Sequence, residues 1–246
     1  MATVFVSDLH LCGQRPGINA LFLHFLETEA RRAEALYILG DLFEYWIGDE
    51  AMAHPDHAPI VSALKALTDT GIPLYIMVGN RDFLMGEDFE NATGGRLLED
   101  PAVIDLHGNR ALLMHGDTLC TDDHDYQKLR QMLRNPDWRR EFLAKSVEER
   151  IAMAQHIREQ SKDAVAGKQA DIMDVNAEAV SAAMREHGVK TLIHGHTHRP
   201  ASHTVNIDGA SGQRHVLPDW YQAGGALWCD QDGCRIKPVK SGNFNG

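Results

Sequence analysis

The sequence lacks any apolar run long enough to cross a membrane. A transmembrane helix needs about 20 consecutive, mostly apolar residues, and no such stretch occurs in this chain of 246 residues. The first residues also lack a basic segment followed by an apolar run, so we expect no signal peptide. Both absences favour a cytoplasmic protein.

Cysteine is scarce as well. The four cysteines form neither the paired spacing of a zinc ribbon nor the framework of a small secreted protein. We expect the last two, Cys229 and Cys234, to be free thiols in a hairpin.

Positive charge is outnumbered by negative charge. The chain has 24 basic and 35 acidic side chains, which gives a formal net charge of -11. Such a surface repels phosphate backbones and argues against broad nucleic-acid binding, although a local basic cluster could still hold a small anion. The hydrophobic share of 43% is typical of a soluble protein with a sizeable core, built as one large domain or as one domain with an insert.

Short apolar runs recur on both sides of a polar middle segment, and many of them end in a polar turn that contains glycine. Such runs are typical of buried strands, and two segments with helical spacing lie between them. The predicted strands are 3–7, 36–39, 74–78, 103–106, 111–114, 191–193, 203–207, 215–217 and 226–229, and the predicted helices are 21–32 and 60–68. This alternation indicates two packed sheets flanked by helices.

Residues 122–188 contain many charged residues, no strand-like run and helical spacing throughout. Ser146 and Glu149 match a capping box at the start of a helix. The predicted helices are 125–134, 136–143, 146–162 and 176–187. Because a helical stretch of this size exceeds an ordinary connection, we predict a host domain of residues 1–121 and 189–246 with a helical insertion at 122–188.

The predicted strands end in side chains that commonly bind metal ions. These side chains occupy the positions where α/β folds place ligand-binding loops. They are Asp8, His10, Asp41, Asn80, His115, His196 and His198. The short patterns are common by themselves, except for Gly-His-Thr-His, in which two histidines follow an apolar strand. Five patterns in this order favour a metal site over a series of ordinary turns. The adjacent His194 would face away from His196 on an extended segment, so we predict a structural role for it.

The ligand types divide between two cations. A pair of divalent ions about 3.5–4 Å apart needs a bridging carboxylate and a mixture of oxygen and imidazole ligands, and Asp41 suits the bridge. Asp8 and His10 are two residues apart, so on an extended segment both would reach one cation. The prediction assigns Asp8, His10 and His198 to one ion and Asn80, His115 and His196 to the other.

The runs DLH, GDLFE, GNRD, HGD and GHTH resemble the signature of the calcineurin-like metallophosphoesterases. This resemblance implies a four-layer α/β/β/α sandwich, a dinuclear metal site, and water activated by the metals as the nucleophile. It also implies that the seven ligands, together with Arg81, form the catalytic set.

Arg81 occupies the position at which many of these enzymes have a histidine that protonates the leaving group. Arginine cannot donate a proton near neutral pH, but its guanidinium can hold a phosphate. We therefore expect a leaving group that departs without protonation, such as one phosphate of a pyrophosphate. A different acid supplied by the insertion stays open as an alternative.

Longer runs closely resemble the UDP-2,3-diacylglucosamine hydrolase family. They are GDLFEYWIGDE, GNRDFLMG, HGDTLCTDD, IMDVN and GHTHRP. The resemblance implies that water attacks the α-phosphorus of UDP-2,3-diacylglucosamine, giving UMP and 2,3-diacylglucosamine 1-phosphate in lipid A biosynthesis, with two Mn²⁺ ions as cofactor. It implies substrate contacts by Asn80, Arg81, Asp123, Ser161, Lys168 and His196. Val165 stands where the family leads us to expect an asparagine.

A diacylated substrate requires an apolar slot, and helices of the insertion could form a lid that provides it. The candidate residues are Leu129, Leu133, Trp138, Ile151 and Ile157, which could equally form the core of the insertion itself. Trp46 is predicted to be a packing residue. We expect peripheral contact with the cytoplasmic face of the inner membrane through the lid, and nothing in the sequence indicates a protein partner.

Two alternatives stay open. The chain could be another dinuclear phosphodiesterase that acts on a nucleotide or a cyclic nucleotide, which would need no apolar lid. It could also be a non-catalytic scaffold with the same fold, although such scaffolds usually lack the complete ligand set that is present here.

Overall fold

The computed structural model describes residues 1–166 and 174–240, and the side chains of 158–166 lie outside that description. Within these limits the chain forms eleven strands and seven α-helices. The strands are β1 (Thr3–Val6), β2 (Ala35–Leu39), β3 (Leu74–Met77), β4 (Arg96–Leu98), β5 (Ala102–Leu106), β6 (Asn109–Met114), β7 (Thr191–His194), β8 (Ala201–Ile207), β9 (Ala210–Val216), β10 (Gly225–Asp230) and β11 (Gly233–Pro238). The helices are α1 (Pro16–Thr28), α2 (Ala58–Thr68), α3 (Glu87–Thr93), α4 (His124–Arg134), α5 (Pro136–Leu143), α6 (Val147–Ala166) and α7 (Ala177–Glu186).

The strands form two mixed sheets. The first has the order β11-β10-β1-β2-β3-β4, in which β1 to β4 are parallel. The second has the order β5-β6-β7-β9-β8, in which β6, β7 and β9 are parallel. The carboxyl ends of parallel neighbours lie at one edge of a sheet, so the loops after β1, β2 and β3 lie together, as do those after β6 and β7.

Alternating side chains divide the core into three apolar layers. On β1, Val4 and Val6 pack with α1 and α2, whereas Phe5 packs against the second sheet. On β6, Leu113 faces the first sheet and Leu112 packs with α7. The order of layers is therefore helices, sheet, sheet and helix, which is the predicted α/β/β/α sandwich.

Helices α4, α5 and α6 together, called the lid helices from here on, lie beside the loops that follow β2 and β3. Side-chain caps fix where α4 and α5 begin, through Asp123 and Asn135. The predicted capping box is confirmed, because the Ser146 amide donates to Glu149 and the Glu149 amide to the Ser146 hydroxyl. Among the described residues, no helix has the length and hydropathy needed to cross a bilayer.

Helix α7 belongs to the sandwich and not to the lid helices. Val180 and Met184 pack on Leu112 and Leu192 of the second sheet, so α7 forms the fourth layer. The predicted insertion of 122–188 includes this helix, and the boundaries of the insertion stay a prediction.

Cys229 and Cys234 face each other in the register of the β10–β11 hairpin. They form a disulfide, so the expectation of two free thiols was wrong. The predicted hairpin is correct, and its register is what places the two sulfur atoms side by side.

Candidate metal centre

Several predicted ligands have left-handed backbone. Seven non-glycine residues of the described chain have a positive φ, a conformation that residues other than glycine adopt infrequently. Five of these are predicted ligands, with φ between 49° and 69°: Asp8, His10, Asp41, His196 and His198. Strained backbone concentrates at functional sites. The expected extended segment at Asp8 and His10 was wrong, because left-handed turns place these two side chains.

The first group of ligand atoms consists of Asp8 Oδ1, His10 Nε2 and His198 Nε2. The His198 nitrogen is 3.3 Å from the Asp8 oxygen and 3.5 Å from the His10 nitrogen. The His10 nitrogen is 4.0 Å from the Asp8 oxygen. One cation at about 2.1 Å from each ligand atom would separate such atoms by roughly 3–4 Å, so these three atoms suit a single ion.

The second group consists of Asn80, His115 and His196. The Asn80 amide oxygen is 3.0 Å from His115 Nε2 and 3.1 Å from His196 Nδ1. These atoms belong to loops from both sheets, since Asn80 follows β3 and the two histidines follow β6 and β7. The structure therefore brings together the second predicted ligand set.

The carboxylate of Asp41 lies between the two groups. Its Oδ2 is 3.7 Å from His10 Nε2 and its Oδ1 is 3.9 Å from His115 Nε2. One oxygen thus faces each group, which is the arrangement that a bridging ligand requires. The Oδ1 atom also accepts a hydrogen bond from the Arg81 amide at 2.8 Å.

The donor set fits a pair of divalent cations. Asp8 Oδ1 is buried without a hydrogen-bond partner, whereas Asp8 Oδ2 accepts from the Ser7 hydroxyl at 2.5 Å and from the His196 amide at 2.9 Å. An orphaned buried carboxylate oxygen is costly unless a cation neutralises it. Carboxylate, amide and imidazole ligands suit first-row divalent metals.

Neighbouring groups orient the ligands. The carbonyl oxygen of Leu39 is 3.0 Å from His115 Nδ1 and can only accept a hydrogen bond, so His115 presents Nε2 to the site. Asp82, which was not predicted as a site residue, accepts from the amides of Gly79 and Leu42, each at 2.7 Å. Asp82 therefore ties the loop of Asp41 to that of Asn80, a role that its place in the GNRD run did not reveal.

Burial and neighbouring carboxylates together control the charges of the histidine ligands. Burial lowers the pKa of His10 to about 3 and that of His196 to about 4, so both imidazoles are neutral and able to bind a cation at pH 7. Burial also lowers the pKa of His115, but Asp41, Asp117 and Asp8 outweigh it and raise the value to about 9. In the metal-free protein a proton on His115 thus offsets part of the acidic charge.

A cavity lies between the metal centre and the lid helices. It begins at Asn80 and Arg81, and its empty volume is about 790 Å³ including open solvent. The Nε atom of Arg81 is buried there without a hydrogen-bond partner. Among the residues discussed above, Leu129, Leu133, Trp138, Ile157 and Trp46 line it.

Three of the predicted residues make other contacts. Ile151 packs against the largest apolar cluster and does not line the cavity. Trp46 is buried, stacks on Phe43 and donates to Asp49 at 3.1 Å, so it packs as well as lining the cavity. Asp123 caps α4 by accepting from the Tyr126 amide at 3.0 Å.

Two predicted substrate contacts could not be placed. Lys168 and the side chain of Ser161 lie outside the described residues, so their roles stay predictions. The same holds for the Val165 side chain.

Comparison with known proteins identifies the family. A sequence model described as calcineurin-like phosphoesterase matches residues 1–200. A UDP-2,3-diacylglucosamine hydrolase from Pseudomonas paraeruginosa is 51% identical over 240 residues, which cover 97% of this chain and 99% of that protein. One from Nitrosococcus oceani is 50% identical over 251 residues and 100% of both chains. One from Chromohalobacter salexigens is 51% identical over 89% of each.

The chain belongs to the UDP-2,3-diacylglucosamine hydrolase family. This confirms the resemblance read from the longer runs, and the family match confirms the calcineurin-like fold. Membership in this hydrolase family implies a metal-dependent enzyme, which agrees with the two groups of ligand atoms around Asp41.

The structure adds a buried network next to this hydrolase site. Asp117 is buried, and its Oδ2 accepts from the Tyr126 hydroxyl at 2.8 Å and from Arg130 Nε at 2.7 Å. Arg134 also donates to the Gly79 carbonyl at 2.8 Å. These bonds fix α4 to the ligand loops. Asp117 belongs to the HGD run, but its partners come from α4, so spacing along the chain could not identify them.

Proposed function

We propose that the protein hydrolyses the pyrophosphate bond of UDP-2,3-diacylglucosamine, giving UMP and 2,3-diacylglucosamine 1-phosphate for lipid A biosynthesis. Water attacks the α-phosphorus in this reaction. The observation that carries the proposal is that an apolar cavity lies directly beside the metal ligands. The lid helices form one wall of this cavity, which opens at Asn80 and Arg81 next to the two groups of ligand atoms. A soluble nucleotide would need the metal site but not the cavity.

Two divalent cations, proposed to be Mn²⁺ with Asp41 as the bridge, would lower the pKa of water and neutralise charge on the phosphates when bound. Asp8, His10 and His198 would hold one of them, and Asn80, His115 and His196 the other. Asp8, His10, Asp41 and His115 are buried, and low-dielectric surroundings strengthen electrostatic interactions.

Arg81 binds the phosphate that departs. Its Nε atom is buried without a partner at the mouth of the cavity, so a phosphate oxygen would satisfy it. The leaving group is a sugar phosphate, which departs as an anion and needs no proton from the enzyme. This agrees with an arginine, rather than an acid, at this position.

The acyl chains occupy the cavity. Leu129, Leu133, Trp138 and Ile157 give it an apolar wall, and Phe83 and Phe142 extend that wall. Moving an acyl chain from water to this apolar wall is favourable, by about 0.8 kcal/mol for each buried methylene group.

The lid helices contact the cytoplasmic face of the inner membrane. Met132, Leu143 and Val147 are large apolar side chains exposed on these helices. Lys128, Arg140 and Lys145 are exposed basic side chains on or beside the same helices, whereas the whole chain has a net charge of -11. Exposed apolar side chains with basic side chains nearby suit an anionic bilayer.

Hydrolysis of UDP-2,3-diacylglucosamine in detergent with Mn²⁺ and ¹⁸O-labelled water tests the reaction. We expect the label in UMP, with turnover lost in His10→Ala and strongly reduced in Arg81→Ala. A metal-loaded protein that leaves this lipid intact but cleaves a simple phosphodiester would overturn the substrate and retain the metal site.

Flotation with vesicles that contain anionic phospholipid tests the membrane contact. We expect the protein to float, and the double variant Met132→Glu with Leu143→Glu to float less. Val103→Glu is the matched control, because Val103 is an exposed apolar residue on β5 and not on the lid helices. Lid-mediated contact would be contradicted if the wild type, the double variant and the control floated equally, or if the wild type did not float.

A further inference from the structure

The imidazole of His10 has one nitrogen that the metal centre does not use. Its Nε2 faces Asp8, Asp41 and His198 at 3.5–4.0 Å, so Nδ1 points away from them. That Nδ1 atom is buried and has no hydrogen-bond partner. A buried N–H group without an acceptor costs free energy.

The acidic group beside that nitrogen is Glu44. Its Oε2 atom is 3.5 Å from His10 Nδ1, and its side chain is only 9% exposed. For comparison, the Nδ1 of His115 already has the Leu39 carbonyl at 3.0 Å. An oxygen atom thus lies beside the Nδ1 atom of both histidines, but only the oxygen beside His10 belongs to a carboxyl group.

The backbone holds Glu44 in this place. A parallel bridge joins Leu11 to Phe43, and the Glu44 amide donates to the Leu11 carbonyl at 3.2 Å. The loop of His10 is therefore fastened to the loop that carries Asp41 and Glu44. These bonds fix the position of the Glu44 backbone relative to that of His10.

Arg15 completes the arrangement. One guanidinium nitrogen is 3.3 Å from Glu44 Oε2 and also donates to the His10 carbonyl. The ring of Tyr221 stacks on the His10 imidazole at 5.1 Å and lies under the Arg15 guanidinium at 4.8 Å. Arg15 balances the charge of the carboxylate, and Tyr221 shields the imidazole from water.

We infer that Glu44 is a positioning residue for the metal that His10 binds. Its carboxylate accepts the Nδ1 proton of His10, which fixes the ring orientation and makes Nε2 the metal-binding atom. A carboxylate in this place also increases the basicity of the imidazole. The inference rests on the metal site of the proposed function and not on its substrate.

Metal binding to the full chain, measured by calorimetry with Mn²⁺, tests the inference. We expect Glu44→Gln to weaken the binding of one of the two ions by about 10- to 100-fold. Glu44→Ala should weaken it at least as much. The affinity of Glu44→Asp should lie between those of the wild type and Glu44→Gln. Glu50→Gln is the matched control. Glu50 also pairs with an arginine, Arg150 at 2.9 Å, but it is exposed and is paired with no ligand.

Glu44 also lines the cavity, so a loss of activity alone would not distinguish positioning from substrate contact. Metal affinity does, because no substrate is present. Thermal unfolding of the metal-free variants shows that they are folded. If all three Glu44 variants bind two ions with unchanged affinity, the inference is overturned but the proposed function is not. A wild type that binds no metal would instead overturn the proposed function.

Discussion

At the scale of single residues, the glycine before Asn80 makes room for Asp41. A Cβ atom on Gly79 would overlap the amide and carboxylate of Asp41. We expect Gly79→Ala to lower the free energy of unfolding by about 1–3 kcal/mol and to weaken metal binding, because the bridging carboxylate must move. Denaturant unfolding and metal titration measure the two effects.

Gly17 is the control for this substitution. It lies in α1, and a Cβ atom added there meets nothing within 4 Å. Gly17→Ala is therefore expected to raise stability slightly, by roughly 0.5 kcal/mol. Equal effects of the two alanines would show that the space beside Asp41 is not limiting.

Protonation of His115 competes with metal binding. The pKa of His115 is raised to about 9 in the metal-free site, and a cation binds only the neutral nitrogen. Metal uptake at pH 7 must therefore release a proton, and the apparent affinity must rise with pH until about pH 9 and then level off. Calorimetry in buffers of different ionisation enthalpy counts the protons. A heat that is independent of the buffer would contradict this assignment.

At the scale of secondary-structure elements, a buried arginine fixes α6 to the loop that follows β2. Arg150 is 3% exposed and donates to the Ile47 carbonyl at 2.6 Å and to Glu50 at 2.9 Å. We expect Arg150→Met to destabilise this contact by about 1.5–3 kcal/mol. Faster hydrogen exchange in residues 147–157 and a higher KM for the lipid measure the effect.

The partner of Arg150 provides the comparison for that variant. Glu50 is 62% exposed on its side chain, so Glu50→Gln should cost no more than about 0.5 kcal/mol. The Ile47 carbonyl still accepts from Arg150 in that variant. Unchanged exchange in Arg150→Met would mean that apolar packing of α6 alone holds it in place.

The elements that the sequence predicted well are those with long apolar patterns or clear caps. The strands β1, β2 and β3 and the helix α5 were placed to within one residue at each end. The prediction for α1 began five residues late, because Pro16 at its first turn gave no apolar signal. The short β4 and α3 were not predicted, since three and seven residues give too little periodicity.

The candidate site could be predicted in composition but not in conformation. The residue types and their order indicated both ligand sets, and the structure places these atoms together. The left-handed backbone at Asp8, His10 and Asp41 could not be predicted, because these residue types rarely require it. The pairing of Glu44 with His10 and of Asp117 with Arg130 could not be predicted either, because it depends on how separate elements pack.

At the scale of the whole molecule, the metal centre joins the two sheets. Asp8, His10, Asp41 and Asn80 follow strands of the first sheet, whereas the three remaining ligands follow strands of the second. Cations bound between them would cross-link the sandwich at one edge. In their absence, repulsion among buried carboxylates and the orphaned Asp8 oxygen remains.

Chelation should therefore destabilise the entire fold and not only the site. An ion present at about 100 times its Kd stabilises the folded state by roughly 2.7 kcal/mol, which corresponds to a shift in Tm of about 5–10 °C for a chain of this size. Differential scanning calorimetry with EDTA and then with excess Mn²⁺ measures it. Asp41→Ala is the control, because a protein without the bridge should show little shift. If the wild type binds two ions but keeps the same Tm after chelation, the ions do not bind the folded state in preference to the unfolded chain, and the sandwich is stabilised by its three apolar layers alone.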